Sequence, residues 1–165
     1  MNASSSLPSW GLVGLGNPLF GDDGVGVAVA IAVAARAPGA WVRELGSDLL
    51  TLQTHAPYPR KLWIVDAARG VAAGQVEILT AEQWRQGPEA ALGWGHHLSM
   101  AQALKLLMAT DADFAAIDWR LVAIGVGDEP VRLQTELSPT VAAAAAGVIE
   151  QLSQEAEAAL AEPRG

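Results

Sequence analysis

With 165 residues, 51% of them hydrophobic, and a formal charge of -8, the chain is long enough for one continuous core and too acidic for a nucleic-acid binder, since phosphate backbones are gripped by clusters of Lys and Arg. The basic residues are scattered, and an acidic surface favours a basic partner segment. The absence of cysteine removes disulfides, thiolate zinc sites, iron-sulfur clusters and thiol proteases, leaving oxygen and nitrogen donors for any metal.

Met1 to Pro8 is polar and uncharged, without the basic patch and apolar stretch of a secretion signal, so a cytoplasmic protein is expected. Trp10 to Gly16 is a short apolar run that predicts a first strand, and Gly14-Leu15-Gly16-Asn17-Pro18 a glycine-rich turn after it. A helix follows, with Asp22 or Asp23 available to cap it and Val25 to Ala35 apolar on every side, until Pro38-Gly39 stops it. This segment, Gly24 to Ala37, is about 14 residues of mostly small side chains, shorter than the roughly 20 that span a membrane.

Trp41 to Leu45 predicts a second strand, and Ser47-Asp48 a cap for a short helix through Leu49, Leu50 and Leu52, closed by Pro57 and Pro59. Leu62-Trp63-Ile64-Val65 is a continuous apolar run, the signature of a central parallel strand covered on both faces, and is expected to end on Asp66. Gln75 to Leu79 alternates as a half-exposed edge strand does, whereas Thr80 to Gly95 has no clean period and is expected to be a loop with a turn of helix. Leu98 to Met108 has helical spacing, Trp119 to Val126 is another buried strand, and Ser138-Pro139 opens a last helix to about Ala161. The alternation predicts a single domain over 1–165, a three-layer α/β/α sandwich with a mainly parallel sheet of about five strands.

Open parallel sheets bind ligands beyond the carboxyl ends of their strands, which singles out Asp23, Asp66 and His96. Two carboxylates and an imidazole suit nickel, zinc or ferrous iron and leave positions open for substrate or water. Each residue also has a plainer role: Asp22 or Asp23 as a cap, Asp66 answered by a backbone amide, His96 or His97 as a turn residue, and His55 on the surface. Gly14-Leu15-Gly16 is half a dinucleotide fingerprint, but Leu19 stands at the third glycine position and acids occupy the helix start, where they would repel a pyrophosphate. A nucleophile elbow, an H-E-x-x-H pair and a Walker lysine are all missing.

The stretch Gly14-Leu15-Gly16-Asn17-Pro18-Leu19-Phe20-Gly21-Asp22-Asp23-Gly24-Val25-Gly26 resembles the opening motif of the nickel-iron hydrogenase maturation endopeptidases. The similarity continues through Leu62-Trp63-Ile64-Val65-Asp66-Ala67, through His96 with Leu98 and Met100, and into Leu137-Ser138-Pro139-Thr140-Val141, covering nearly the whole chain. The resemblance implies an aspartate-type, nickel-dependent endopeptidase. It would remove a C-terminal extension from the precursor of a hydrogenase large subunit, with the nickel arriving already mounted in that substrate. Carried over residue by residue, the metal-gripping and catalytic set is Asp23, Asp66 and His96. His97 is the alternative if the turn shifts by one, although Leu98 and Met100 favour His96.

Where many members carry an Asp-Gly-Gly segment after the second strand, this chain has Glu44-Leu45-Gly46-Ser47-Asp48, so an acidic helper there is not transferred. The expected partner is the large-subunit precursor, with no nucleic acid and no membrane, the protein acting as a monomer. A non-catalytic, chaperone-like binder of the metallated subunit is the rival on the same scaffold, and a nucleotide-binding enzyme a more distant one.

Overall fold

The structure, a computed structural model, describes residues 7–87 and 98–162. In chain order it runs β1 (Trp10–Gly14), a 3-10 turn (Gly21–Gly24), α1 (Val25–Arg36), β2 (Trp41–Glu44), a second 3-10 turn (Leu49–His55), β3 (Lys61–Arg69) and β4 (Val76–Thr80). Then come α2 (Ala81–Gln86), α3 (Leu98–Thr110), α4 (Ala112–Ala116), β5 (Asp118–Gly127) and α5 (Pro139–Ala161). The strands form one five-stranded sheet in the order β2-β1-β3-β5-β4. Every pairing is parallel except that of β4, which lies antiparallel on β5 as an edge.

The alternation of side chains along a strand divides the core in two. Leu12 of β1, Trp63 and Val65 of β3, and Val122 and Ile124 of β5 meet α1 and α5 on one face. There α5 presents Val141, Ala145, Val148, Leu152 and Ala156, a stripe at helical spacing. Val13, Leu62, Ile64 and Leu121 point the other way, into a cluster with Leu49 and Leu52 and with Met100, Leu104 and Leu107 of α3. Trp63 and Trp119 are fully buried on opposite faces, and each large apolar side chain so placed contributes about 1.5–3 kcal/mol. Helices on both faces of a mostly parallel sheet make the expected α/β/α sandwich. Among the described residues no helix is long and apolar enough to cross a membrane.

Three local expectations need correction. α1 is not covered all round: it packs between the sheet and α5 and leaves Ile31 52% exposed. Neither Asp22 nor Asp23 caps it, because Gly24 holds the cap position and both carboxylates accept elsewhere. The turn of helix expected in the 80–95 stretch is α2, which Thr80 and Gln83 start with a reciprocal capping box. Ser138 does occupy the cap position of α5 with Pro139 after it, but its hydroxyl caps nothing. By contrast, Asp48 caps the second 3-10 turn as expected, accepting from the Leu50 N–H at 2.9 Å.

Candidate active site

The central strand continues past the point where its neighbour stops. β1 pairs with β3 as far as Gly14 opposite Val65, and the Leu15 N–H then donates to the Val65 carbonyl at 2.9 Å. β3 runs on beside β5 through Asp66 to Arg69. Asp66 therefore does not end the strand, as its apolar run suggested; it is the first residue of β3 beyond the β1 ladder. Its backbone is fixed on one side by β5, opposite Ala123. Its side chain shares parity with Leu62 and Ile64, which places it on the α3 face of the sheet.

Asp23 is brought to the same edge by the glycine-rich turn. Gly16 has φ +116°, and a Cβ there would lie 1.8 Å from the Asp23 carbonyl oxygen, so the turn closes onto the acid's own backbone only because that position is glycine. Gly26, at the start of α1, is pressed against the end of β3: a Cβ there would lie 2.2 Å from the Val65 carbonyl oxygen. Within this frame the Asn17 N–H donates to Asp23 Oδ2 at 2.9 Å. Asp22 turns elsewhere, its Oδ1 accepting from the Ser138 N–H at 2.6 Å and anchoring the chain entering α5. Of the adjacent acids, Asp22 is thus a structural tie and Asp23 faces the edge where Asp66 lies.

The two acids interact. Burial pushes the Asp66 carboxyl up from its ordinary 3.8 to about 7; the Ala67 N–H, donating to Oδ1 at 2.8 Å, acts against this, and the negative charge of Asp23 adds to it. Among the described residues each carboxylate has one oxygen engaged by a single backbone N–H, well short of the acceptor capacity of an ionised carboxylate. A half-answered pair of acids at the edge of a sheet is a donor set for a cation, which would offset both the burial and the mutual repulsion.

Among the described residues no group of three His, Cys, Asp or Glu side chains gathers around a common point. The third expected member, His96, and its alternative His97 lie outside the described residues. α3, which follows them in sequence, packs on the face to which Asp66 points. His55 ends the second 3-10 turn and is half-buried.

Sequence reasoning did not find Arg69 and Arg132. They line a cavity of about 230 Å³ together with Phe20, Asp22 and Asp23. The signal available was charge: Arg69 follows Asp66 on the same strand, and both arginines are exceptions in an acidic chain.

No family model matches the chain. It is similar to Protein FrxA of Pyrococcus furiosus, 30% identical over 122 residues that span 74% of this chain and 86% of that protein. Among solved structures it resembles the [NiFe] hydrogenase maturation protease HybD from Thermococcus kodakarensis, with a TM-score of 0.72 and 26% identity over 89% of this chain and 98% of that one. It also resembles the hydrogenase maturating endopeptidase HybD from E. coli, with a TM-score of 0.61 and 27% identity over 86% and 88% of the two chains.

Proposed function

The chain belongs to the nickel-iron hydrogenase maturation protease family, and on that premise we propose that it removes the C-terminal extension from the precursor of a nickel-iron hydrogenase large subunit once nickel has been inserted. In this reading Asp23, Asp66 and His96 grip the nickel that the precursor brings, and the reaction takes place in the cytoplasm. The observation that carries it is the meeting of Asp23 and Asp66 at the carboxyl edge of β1 and β3, with the charge of Asp66 opposed by burial and by its neighbour.

The ion, when bound, would supply Lewis acidity toward a peptide carbonyl. The protein's own part follows from the two carboxylates. Asp23 is held in place by the Asn17 N–H on one oxygen, and in this reading the other oxygen meets the substrate. Asp66, titrating near 7, holds a proton for part of the time at neutral pH and gives it up on meeting a cation. The same property lets it exchange a proton with water or a leaving amine at the operating pH, where acid–base exchange is most effective.

The test is processing of a nickel-loaded precursor followed by intact mass. Wild type should release the extension, Asp23→Asn, Asp66→Asn and His96→Ala should not, and His97→Ala should retain processing. Nickel-free precursor should stay whole. Efficient cleavage by Asp66→Asn would remove the support for this assignment, and precursor bound by wild type but never cut would make the protein a binder rather than a protease.

A further inference from the structure

Asn17 takes part in three hydrogen bonds among the described residues, each with a different group. Its N–H donates to Asp23 Oδ2 at 2.9 Å, its side-chain Oδ1 accepts from the Leu19 N–H at 3.0 Å, and its backbone carbonyl accepts from the Phe20 N–H, also at 3.0 Å. The bond to Phe20 closes a β-turn over Asn17 to Phe20 with Pro18 at its first corner, and the bond to Leu19 is the one a short carboxamide makes with the N–H two residues on. Only the N–H touches a site acid.

The turn has little slack. Pro18 fixes its own φ and restricts Asn17 before it to extended backbone. The 3-10 turn that carries Asp23 is laid directly on this corner: a Cβ at Gly24 would lie 2.5 Å from Pro18 Cα and 3.2 Å from the Asn17 carbonyl carbon, and one at Gly16 would lie 1.8 Å from the Asp23 carbonyl oxygen. The Asp23 N–H in turn donates to the Phe20 carbonyl at 3.3 Å. With backbone against backbone on both sides of Asn17, any rotation of the corner shifts the Asn17 N–H against the Asp23 carboxylate. The bond from Leu19 to the Asn17 side chain lies at the surface, where water competes for both groups, so it adds little to stability. Its consequence is direction, because it closes the corner that aims the Asn17 N–H.

We propose that Asn17 is a positioning residue for the reaction: its side-chain oxygen holds the corner so that its own N–H occupies Asp23 Oδ2, leaving Oδ1 as the oxygen offered to the substrate. The inference rests on the proposed function, in which Asp23 meets the precursor, and adds the residue that decides how the acid is presented. A neutral carboxamide suits this task. Aspartate at the same position would form the same turn but set a third negative charge near Asp23 and Asp66, whose charges already oppose each other. Serine makes the same local bond more weakly, which gives a graded substitution.

Two measurements test it, the first without any substrate. Amide hydrogen exchange followed by NMR should show the amides of positions 17 and 19 both protected in wild type. Asn17→Ala should lower protection about tenfold at both, at 19 because the acceptor is gone and at 17 because the corner no longer aims that N–H, whereas Asp23→Ala should lower it at 17 alone. In processing of nickel-loaded precursor, Asn17→Ala should lower kcat about tenfold while KM stays within about threefold, as for a misaligned group at the reacting centre, and Asn17→Ser should recover at least about a third of the wild-type kcat. Asn17→Ser should fall between wild type and Asn17→Ala on both readouts, and it serves alone should Asn17→Ala fail to fold. Thermal unfolding separates positioning from a structural role: Asn17→Ala should lower Tm by less than Glu155→Ala, a substitution against the other end of β3 that should leave kcat unchanged. Unchanged protection at position 17 or unchanged kcat in Asn17→Ala would overturn the proposal, as would a loss of kcat that Asn17→Ser does not recover. Failure of wild type to cut any precursor would count against the proposed reaction, and exchange at position 17 would still decide whether the Asn17 side chain sets the bond to Asp23.

Discussion

Glu155 and Asp66 are both carboxylates set against the central strand β3, at opposite ends of it, and the protein treats them differently. At the amino end, Glu155 Oε2 accepts from Lys61 Nζ at 2.9 Å, Trp63 Nε1 at 2.9 Å and Trp10 Nε1 at 3.4 Å, and Gln151 donates to Oε1 at 3.3 Å. Burial opposes its ionisation, but the hydrogen bonds from Lys61, Gln151 and Trp63 and the Lys61 charge together hold its carboxyl below the ordinary range. At the carboxyl end, Asp66 has one backbone N–H among the described residues, a like charge for a neighbour and burial against it, and its carboxyl is pushed up to about 7. Among the described residues, the fold answers the carboxylate at the amino end with several donors and the one at the carboxyl end with a single backbone N–H. An acid with a raised pKa beside another acid is the kind of arrangement found at functional sites, which is the contrast the proposed function draws on.

The largest effect expected from breaking this contrast is on activity. Asp66→Asn should lower precursor processing by about 10²–10⁴-fold, the span typical of removing a group that handles protons at a reacting centre, as read by intact mass over time. The same substitution should make the fold more stable at pH 8, because it removes a charge that the folded state holds at a cost. Loss of activity together with loss of stability would mean that Asp66 is a structural acid like Glu155.

Next in size is the frame that sets Asp23. Gly16→Ala should cost about 3 kcal/mol or more, since it combines a positive φ with a Cβ directed into the Asp23 carbonyl, and urea denaturation measures it. Glu155→Ala should cost about 2 kcal/mol, allowing for the partial exposure of the Lys61 pair, by leaving Lys61 and the Trp63 indole N–H unanswered. It should leave processing intact, the reverse of the Asp66 pattern.

The two ends should also respond to pH with opposite sign. Asp66 has its folded pKa raised from 3.8 to about 7, so its contribution to stability is fully present below the ordinary value and is lost as pH rises through 7. Glu155 has its folded pKa lowered, so its contribution is present above the ordinary carboxylate range and is lost as pH falls through the folded value. The stability gap between Asp66→Asn and wild type should therefore widen, in favour of the variant, by on the order of 2 kcal/mol from pH 4 to pH 8, after discounting for the solvent access Asp66 retains. A flat gap would show that burial does not set the charge of Asp66. The smallest effect is expected at Asp22: Asp22→Ala, losing the 2.6 Å bond from the Ser138 N–H, should cost about 1 kcal/mol and loosen the frame of the neighbouring cavity without removing a site acid.

What the sequence determined by itself is what local periodicity and turn chemistry can encode. The run Leu62 to Val65 announced a central strand, Ser138-Pro139 the start of the last helix, and the alternation of elements the layered sandwich. The glycine and acid motif pointed to the carboxyl edge of the sheet, because a strand followed by a tight turn and a helix delivers its polar residues to the strand's carboxyl end whatever the rest of the chain does. Local signals could not say which of Asp22 and Asp23 was spare, since the answer lies in the Ser138 N–H, far along the chain. Nor could they say that Asp66 lies inside β3 rather than at its end: an apolar run records where both faces are covered, whereas the strand's length is set by pairing with β5. Only tertiary structure placed Arg69 and Arg132 in one cavity with Asp23, because charge carries no period, and which cations share a space is decided by the packing of the whole sheet.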